Sequence, residues 1–300
     1  MLQLLFELAP CLICGMGLGR LAPQLPQQLA PPLLRWGVPV SLVGLLLKGG
    51  LSSNTLQAAL FSLVITVGGL VCTQRWPLLQ RALPRRSLQL GAVVGNTAYF
   101  GLPVALALLP PEALSFSITY DLVGTLVTWS VGPLLLNGAP ARPGQLMGQL
   151  LRSPVVQAVL VAAPLLVSAW REPIATALWW PARGVLWLML TLVGMRLGSL
   201  LGQNASPGGL RMAVLLKLVA LPAVALLITA LLGWAPVMRD ALVLQAAAPT
   251  AMAVLLLAEA SQQKGRESIP AAQLVLWSTL ISIVSVPLWA LLLAQLTVAM

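Results

Sequence analysis

Residues 91–110 read GAVVGNTAYFGLPVALALLP, and residues 241–260 read ALVLQAAAPTAMAVLLLAEA. Each stretch is apolar and long enough for a membrane-crossing helix, yet each is interrupted near its middle. In the first, Gly95, Gly101 and Pro103 bracket Asn96 and Thr97; in the second, Pro249 and Thr250 lie one turn after Gln245. Proline inside a helix removes a hydrogen bond and costs on the order of 3 kcal/mol. A helix broken there exposes N–H and C=O groups at membrane depth, where only protein or a water-filled cavity can satisfy them. Broken helices at matching positions of two halves of a chain point to a transporter binding site. The alternative is a pair of kinked but continuous helices, which needs no site.

The rest of the chain supplies the membrane context. Of 300 residues, 59% are apolar and 8% charged, with a mean hydropathy of +0.93. A soluble domain is about 25% charged, so this chain would not cover its surface in water. Apolar runs of spanning length occur at 2–20, 33–49, 55–74, 88–109 and 114–137, and again at 154–170, 175–199, 209–233, 240–258 and 271–298. In lipid each run must be a helix, since the backbone has to satisfy itself within the segment. The runs do not alternate as barrel strands would. The first run carries no preceding basic residue and is interrupted by Glu7, so it is expected to be a membrane helix rather than a cleaved signal.

Basic residues then orient the chain. The net charge is +10, but Lys and Arg stand singly between apolar runs, which argues against nucleic-acid binding and for the positive-inside pattern. The odd-numbered connections and their flanks hold Arg20, Arg35, Arg75, Arg81, Arg85, Arg86, Arg142, Arg152, Arg196, Arg211, Lys264 and Arg266; the even-numbered side holds Lys48, Arg171 and Arg239. Twelve against three places the odd side in the cytoplasm and both termini outside it, in a multi-pass protein of the cell membrane. Trp36, Trp76, Trp170 and Trp234 fall near run ends, as interfacial anchors would.

The longest internal connection, 138–153, is rich in Gly and Pro and lies midway, with five runs on either side. An odd number of spans per half forces opposite orientations, the arithmetic of an inverted repeat. The expected architecture is an all-α membrane protein of about ten transmembrane helices, built as two five-helix repeats, 1–137 and 154–300, with a short cytoplasmic linker at 138–153. Proline placement agrees: Pro39 and Pro181 in the second spans, Pro103 and Pro249 in the fourth, Pro133 and Pro287 in the fifth; Pro222 has no partner.

A half-helix N-terminus carries roughly half a positive charge and unpaired N–H donors, so two of them near the midplane favour an anion. Asn96, Thr97, Gln245 and Thr250 add side-chain donors and acceptors, with the backbone at Pro103 and Pro249 completing a substrate site. Charges inside spans are costly and read as functional by default. Asp121 in the fifth span and Lys217 in the eighth are therefore expected to pair, or Asp121 to carry a proton or sodium ion; the alternative for each is snorkelling to an interface. Glu7 and Glu259 are expected near the surfaces. Arg183 is expected to be structural.

At these residues the chain resembles the auxin efflux carrier family, which includes plant PIN proteins and bacterial permeases. The matching pieces are GNTAYFGLP (95–103) and LQAAAPTAMAVLLLAEA (244–260), supported by VPVSLVGLLL around Pro39 and by STLISIVSVPLWALLL (278–293). The resemblance implies a ten-helix inverted repeat similar to sodium/proton antiporters and bile-acid symporters, with the fourth and ninth helices crossing at their prolines. Spans one, two, six and seven would form a scaffold, and the other six a moving unit. It also implies a carboxylate substrate held at Asn96, Pro103 and Pro249, and a homodimer. The linker is far shorter than that of PIN proteins, which argues for the bacterial branch.

Other classes fit less well. Cys11 and Cys14 form a C-x-x-C inside an apolar helix with no second ligand pair, and there is no His, so no metal or other cofactor is expected. An intramembrane aspartyl protease would need a second membrane aspartate, and Asp240 sits at a span edge beside Arg239; a serine protease would want a His base. No phosphate-binding loop is present; Gly15, Gly17 and Gly19 suit close helix packing instead. A channel or oligomeric pore does not require the pair of broken helices.

Overall fold

The computed structural model describes residues 2–50, 54–137, 148, 151, 154–200 and 207–299. Of the described residues, 86% are helical and none lies in a strand. The linker 138–153 lies almost wholly outside them.

The first half contains α1 (Leu2–Leu21), α2 (Leu25–Pro32), α3 (Val38–Gly49), α4 (Thr55–Arg75), α5 (Pro77–Ala82), α6 (Arg86–Gly91), α7 (Leu102–Leu108) and α8 (Ala113–Asn137). The second contains α9 (Pro154–Leu166), α10 (Arg171–Leu200), α11 (Leu210–Leu215), α12 (Leu221–Leu231), α13 (Pro236–Ala247), α14 (Met252–Ala260) and α15 (Lys264–Ala299). Every apolar run of the sequence forms helix, with 88–109 and 240–258 each interrupted near the middle. The last helix starts seven residues earlier than hydropathy predicts, because its polar first turns, with Arg266 and Glu267, continue the helix past the apolar stretch.

Among the described residues, five helices are long and apolar enough to cross a membrane: 28–49, 55–75, 171–198, 210–231 and 264–297. The most apolar window of 210–231 is only 28% buried in the protein, so the rest of that surface is apolar and outward-facing. A patch of that kind suits a lipid solvent and not water.

Among the described residues, three π turns occur within helical stretches, at Leu33–Gly37, Thr97–Gly101 and Leu216–Ala220. Each ends two residues before a proline, Pro39, Pro103 and Pro222. The proline supplies no N–H, and its ring would strike the carbonyl four residues back. Widening the preceding turn moves that carbonyl aside: the Leu102 N–H reaches Thr97 and the Leu221 N–H reaches Leu216, each five residues back. The helix continues instead of breaking. Beside Pro222, the Leu218 carbonyl accepts a hydrogen bond from the Trp289 indole N–H at 2.9 Å.

The helices fall into two packed groups. In one, α1 lies along α10, and α3 packs between α10 and α9. The α1–α10 contact is built on glycine. A Cβ on Gly15 or Gly19 would collide with the Thr191 or Met195 carbonyl, and one on Gly194 or Gly198 with the Leu12 or Met16 carbonyl. Two G-x-x-x-G faces thus meet backbone to backbone. Gly17 faces open space, so it takes no part. On α3, the Ser41 hydroxyl donates to the Ala182 carbonyl of α10 at 3.1 Å.

The other group gathers α4, α8, α12, α13, α14 and α15 around the interrupted helices α6–α7 and α13–α14. The interruptions lie at 92–96 and 248–251, where the chain is not helical.

Candidate functional site

The two interruptions run antiparallel across each other. Gly95 and Thr250 form a lone β-bridge, in which the Asn96 N–H donates to the Pro249 carbonyl at 2.6 Å and the Ala251 N–H to the Val94 carbonyl at 3.0 Å. The extended backbone therefore satisfies itself at the crossing.

Four helix ends meet there, and each is treated differently. The Gly91 carbonyl at the end of α6 accepts from the Thr250 hydroxyl at 2.8 Å. The Ala246 carbonyl at the end of α13 accepts from the Lys217 ammonium at 2.6 Å. That places a cation at the negative end of a half-helix. At the start of the helix running from Thr97, the Asp121 carboxylate accepts the Thr97 hydroxyl at 2.5 Å. That places an anion at a positive end. Asp121 and Lys217, 2% and 1% exposed, do not pair with each other; each answers a separate helix end, so the expected ion pair is corrected.

The fourth end, the N-terminus of α14, opens on a cavity of about 220 Å³. Its floor is Gly95, Asn96, Thr97, Asp121, Ala251 and Met252. From there it follows Gly124, Thr125, Thr128 and Trp129 up one face of α8, Leu256 on α14, and Met189, Leu192, Val193 and Arg196 on α10. From Asp121 to Trp129 the wall rises about 12 Å at 1.5 Å per residue. It runs toward the C-terminal ends of α8, α10 and α14, the basic end of the molecule. One wall belongs to each helix group.

Two atoms on the floor are buried without a partner: the Asn96 side-chain nitrogen and the second Asp121 oxygen. A buried amide donor left open costs roughly 1–3 kcal/mol, which a bound acceptor would recover. Among the described residues lining the cavity, Arg196 is the one cation and Asp121 the one anion.

Compared with known proteins, the chain matches no family model and no curated sequence.

The expected site residues divide. Asn96, Thr97 and Asp121 line the cavity. Pro103 does not; it is buried in α7, seven residues past the break, where the π turn accommodates it. Pro249 contributes its carbonyl to the bridge and not to the cavity wall. Thr250 is fully engaged, its N–H donating to the Ser278 hydroxyl at 3.0 Å and its own hydroxyl to Gly91. Gln245 is buried against Gly101 on the far side of the crossing, both amide atoms without partners. Lys217 lies behind Gly95, where a Cβ would come within 3.2 Å of its nitrogen.

Several residues escaped the sequence reading. Arg196 and Arg239 count as surface charges there. Arg196 instead lines the cavity, half-buried. Arg239 is 2% exposed and bonds Asp240 at 2.8 Å and Thr297 at 2.7 Å. Glu267 is buried and accepts the Ser87 N–H at 2.9 Å, capping the start of α6. The i, i+3, i+4, i+7 spacing of Met189, Leu192, Val193 and Arg196 was the available signal for the first. Arg183 has a structural setting: its guanidinium stacks among Trp179, Trp180 and Trp187 at 5.6–5.9 Å.

Proposed function

We propose that the protein is a secondary carrier moving a small organic anion, of the carboxylate class, across the cell membrane by alternating access. One observation carries this reading: Asn96, whose buried amide nitrogen has no hydrogen-bond partner, and the N-terminus of α14 border a single cavity where two broken helices cross. Amide donors and a helix N-terminus together favour an anion. A crossing at membrane depth with a cavity whose floor is polar beside it is what a carrier requires and a structural subunit does not.

The two helix groups suit a moving part and a fixed part, since the cavity separates them. The group around α1, α3, α9 and α10 would be the scaffold. The halves would be inverted five-helix repeats, with the basic end cytoplasmic and both termini opposite. A matched detail supports the repeat: in each half the fifth helix sends one side chain to the start of the second half-helix, Asp121 to Thr97 and Ser278 to Thr250. The resemblance to auxin efflux carriers points the same way.

Asp121 sets the coupling. An anion arriving beside an ionised Asp121 meets a like charge in a low-dielectric site. Protonating the carboxylate removes the repulsion, so proton and anion travel together. Sodium at the same carboxylate is the alternative driving ion.

The test is uptake of a radiolabelled carboxylate panel into proteoliposomes, with proton and sodium gradients imposed separately. Saturable uptake is expected for at least one member, lowered about 10–100-fold by Asn96→Ala, the loss expected for one hydrogen bond to a charged group. Uptake indifferent to Asn96→Ala would remove the site from the crossing.

A further inference from the structure

The cavity has an asymmetry along its length. Its floor holds neutral donors and Asp121, while its one cationic side chain stands near the other end. On α10, Met189 lies beside Ala98 and Tyr99 at the floor, and Arg196 is seven residues further on, about 10 Å along the axis at 1.5 Å per residue. Thr128, Trp129 and Leu256 border the same outer stretch. The walls between are mostly apolar, with Leu192, Val193, Met252 and Leu256, and carry only the neutral hydroxyls of Thr125 and Thr128. Low-dielectric walls focus the field of a charge at their rim and raise the local concentration of its counter-ion.

Resting on the carrier reading above, we infer that Arg196 is the specificity-determining residue of the mouth, collecting anions from the basic side and turning cations away before they reach Asn96. Arginine suits this position because its positive charge acts on an approaching anion through the field at the rim of the cavity and needs no open donor. Its seat on α10, in the helix group opposite the crossing, also matters. An anion passing inward leaves one group and is received by the other, so Arg196 governs arrival and Asn96 governs holding. Arg196 substitutions are therefore expected to raise KM while leaving kcat nearly unchanged.

A direct test needs no knowledge of the substrate. Cys11, Cys14 and Cys72 are replaced by Ala, and a single cysteine is placed on the cavity wall as Thr125→Cys, between the floor and the mouth. Its reaction rates with an anionic sulfonate and a cationic trimethylammonium methanethiosulfonate are compared on purified protein in detergent. The anionic reagent is expected to be favoured, and Arg196→Gln should lower the anionic-to-cationic ratio by on the order of tenfold. Arg196→Lys should restore much of it. A purely structural role would change both rates together and leave the ratio unaltered. An unchanged ratio in Arg196→Gln overturns the assignment to Arg196. If neither reagent modifies the cysteine in any background, there is no open aqueous cavity, and the carrier reading falls with the inference.

Discussion

At the scale of single residues, the two buried charges do different work. Lys217 answers the exposed carbonyls at the end of α13 and stands behind the glycine of the crossing. Replacing it by Met leaves the Ala246 carbonyl buried without a donor. A hydrogen bond to a charged group contributes about 1.5–3 kcal/mol, so Lys217→Met should lower the thermal midpoint in detergent clearly, whether or not substrate is present. Asp121 belongs to the cavity, and its conservative variant should separate coupling from binding. Asp121→Asn mimics the protonated carboxyl permanently. Counterflow exchange should persist in that variant, whereas accumulation driven by an inward proton gradient should vanish. The sign is fixed by the repulsion: wild-type uptake rises when the substrate side is acidified. Accumulation surviving in Asp121→Asn would take the proton away from this residue. Both charges were legible in the sequence, because intramembrane Asp and Lys stand out against an apolar background. Their partners were not, because a backbone carbonyl and a helix N-terminus carry no sequence signature.

At the scale of elements, proline was a partial guide. Pro249 does mark one interruption. The other falls at 92–96, upstream of Pro103, in a stretch of Val and Gly that contains no proline. Its extended form depends on the bridge to residues 249–251, a partner far away in sequence, so local propensity alone could not locate it. Pro103 instead follows a π turn, as do Pro39 and Pro222. The rule can be checked at Pro222. Trp289→Phe removes the donor to the Leu218 carbonyl and should cost about 1–2 kcal/mol in unfolding stability. In a Pro222→Ala background, the regained N–H can serve that carbonyl itself. The cost of Trp289→Phe should then largely disappear, a coupling that a double-mutant cycle reads directly. Equal costs in both backgrounds would show that the indole acts by packing alone. The glycine contact of α1 with α10 was more legible, since small residues at four-residue spacing in an apolar run have few other uses.

At the scale of the molecule, the hydrophobic pattern yielded helices at every run, because membrane burial writes itself into composition. It did not yield the cavity, which depends on how two helix groups pack. A second depression, of about 390 Å³, lies at the opposite end between Leu108, Asp240, Leu244 and Thr297. Between the two openings stands a closed layer that includes Phe100, Gly101 and Gln245, all fully or nearly fully buried. Alternating access would open this layer as the cavity closes. A cysteine introduced at Leu244 should therefore gain reactivity toward water-soluble reagents when transport is driven outward from the basic side.

The amide of Gln245 then has a thermodynamic meaning. Held dry in the barrier with neither nitrogen nor oxygen engaged, it raises the free energy of this one conformer by about 1–3 kcal/mol. In the opposite conformer of the proposed carrier cycle, water would reach it and spare that penalty. On the proposed cycle the group would act as a counterweight, keeping the resting populations of the two forms within a factor that a bound anion can tip. Gln245→Leu should remove the counterweight: a higher melting temperature, a population fixed in the form described above, and a slower cycle for a better-packed protein.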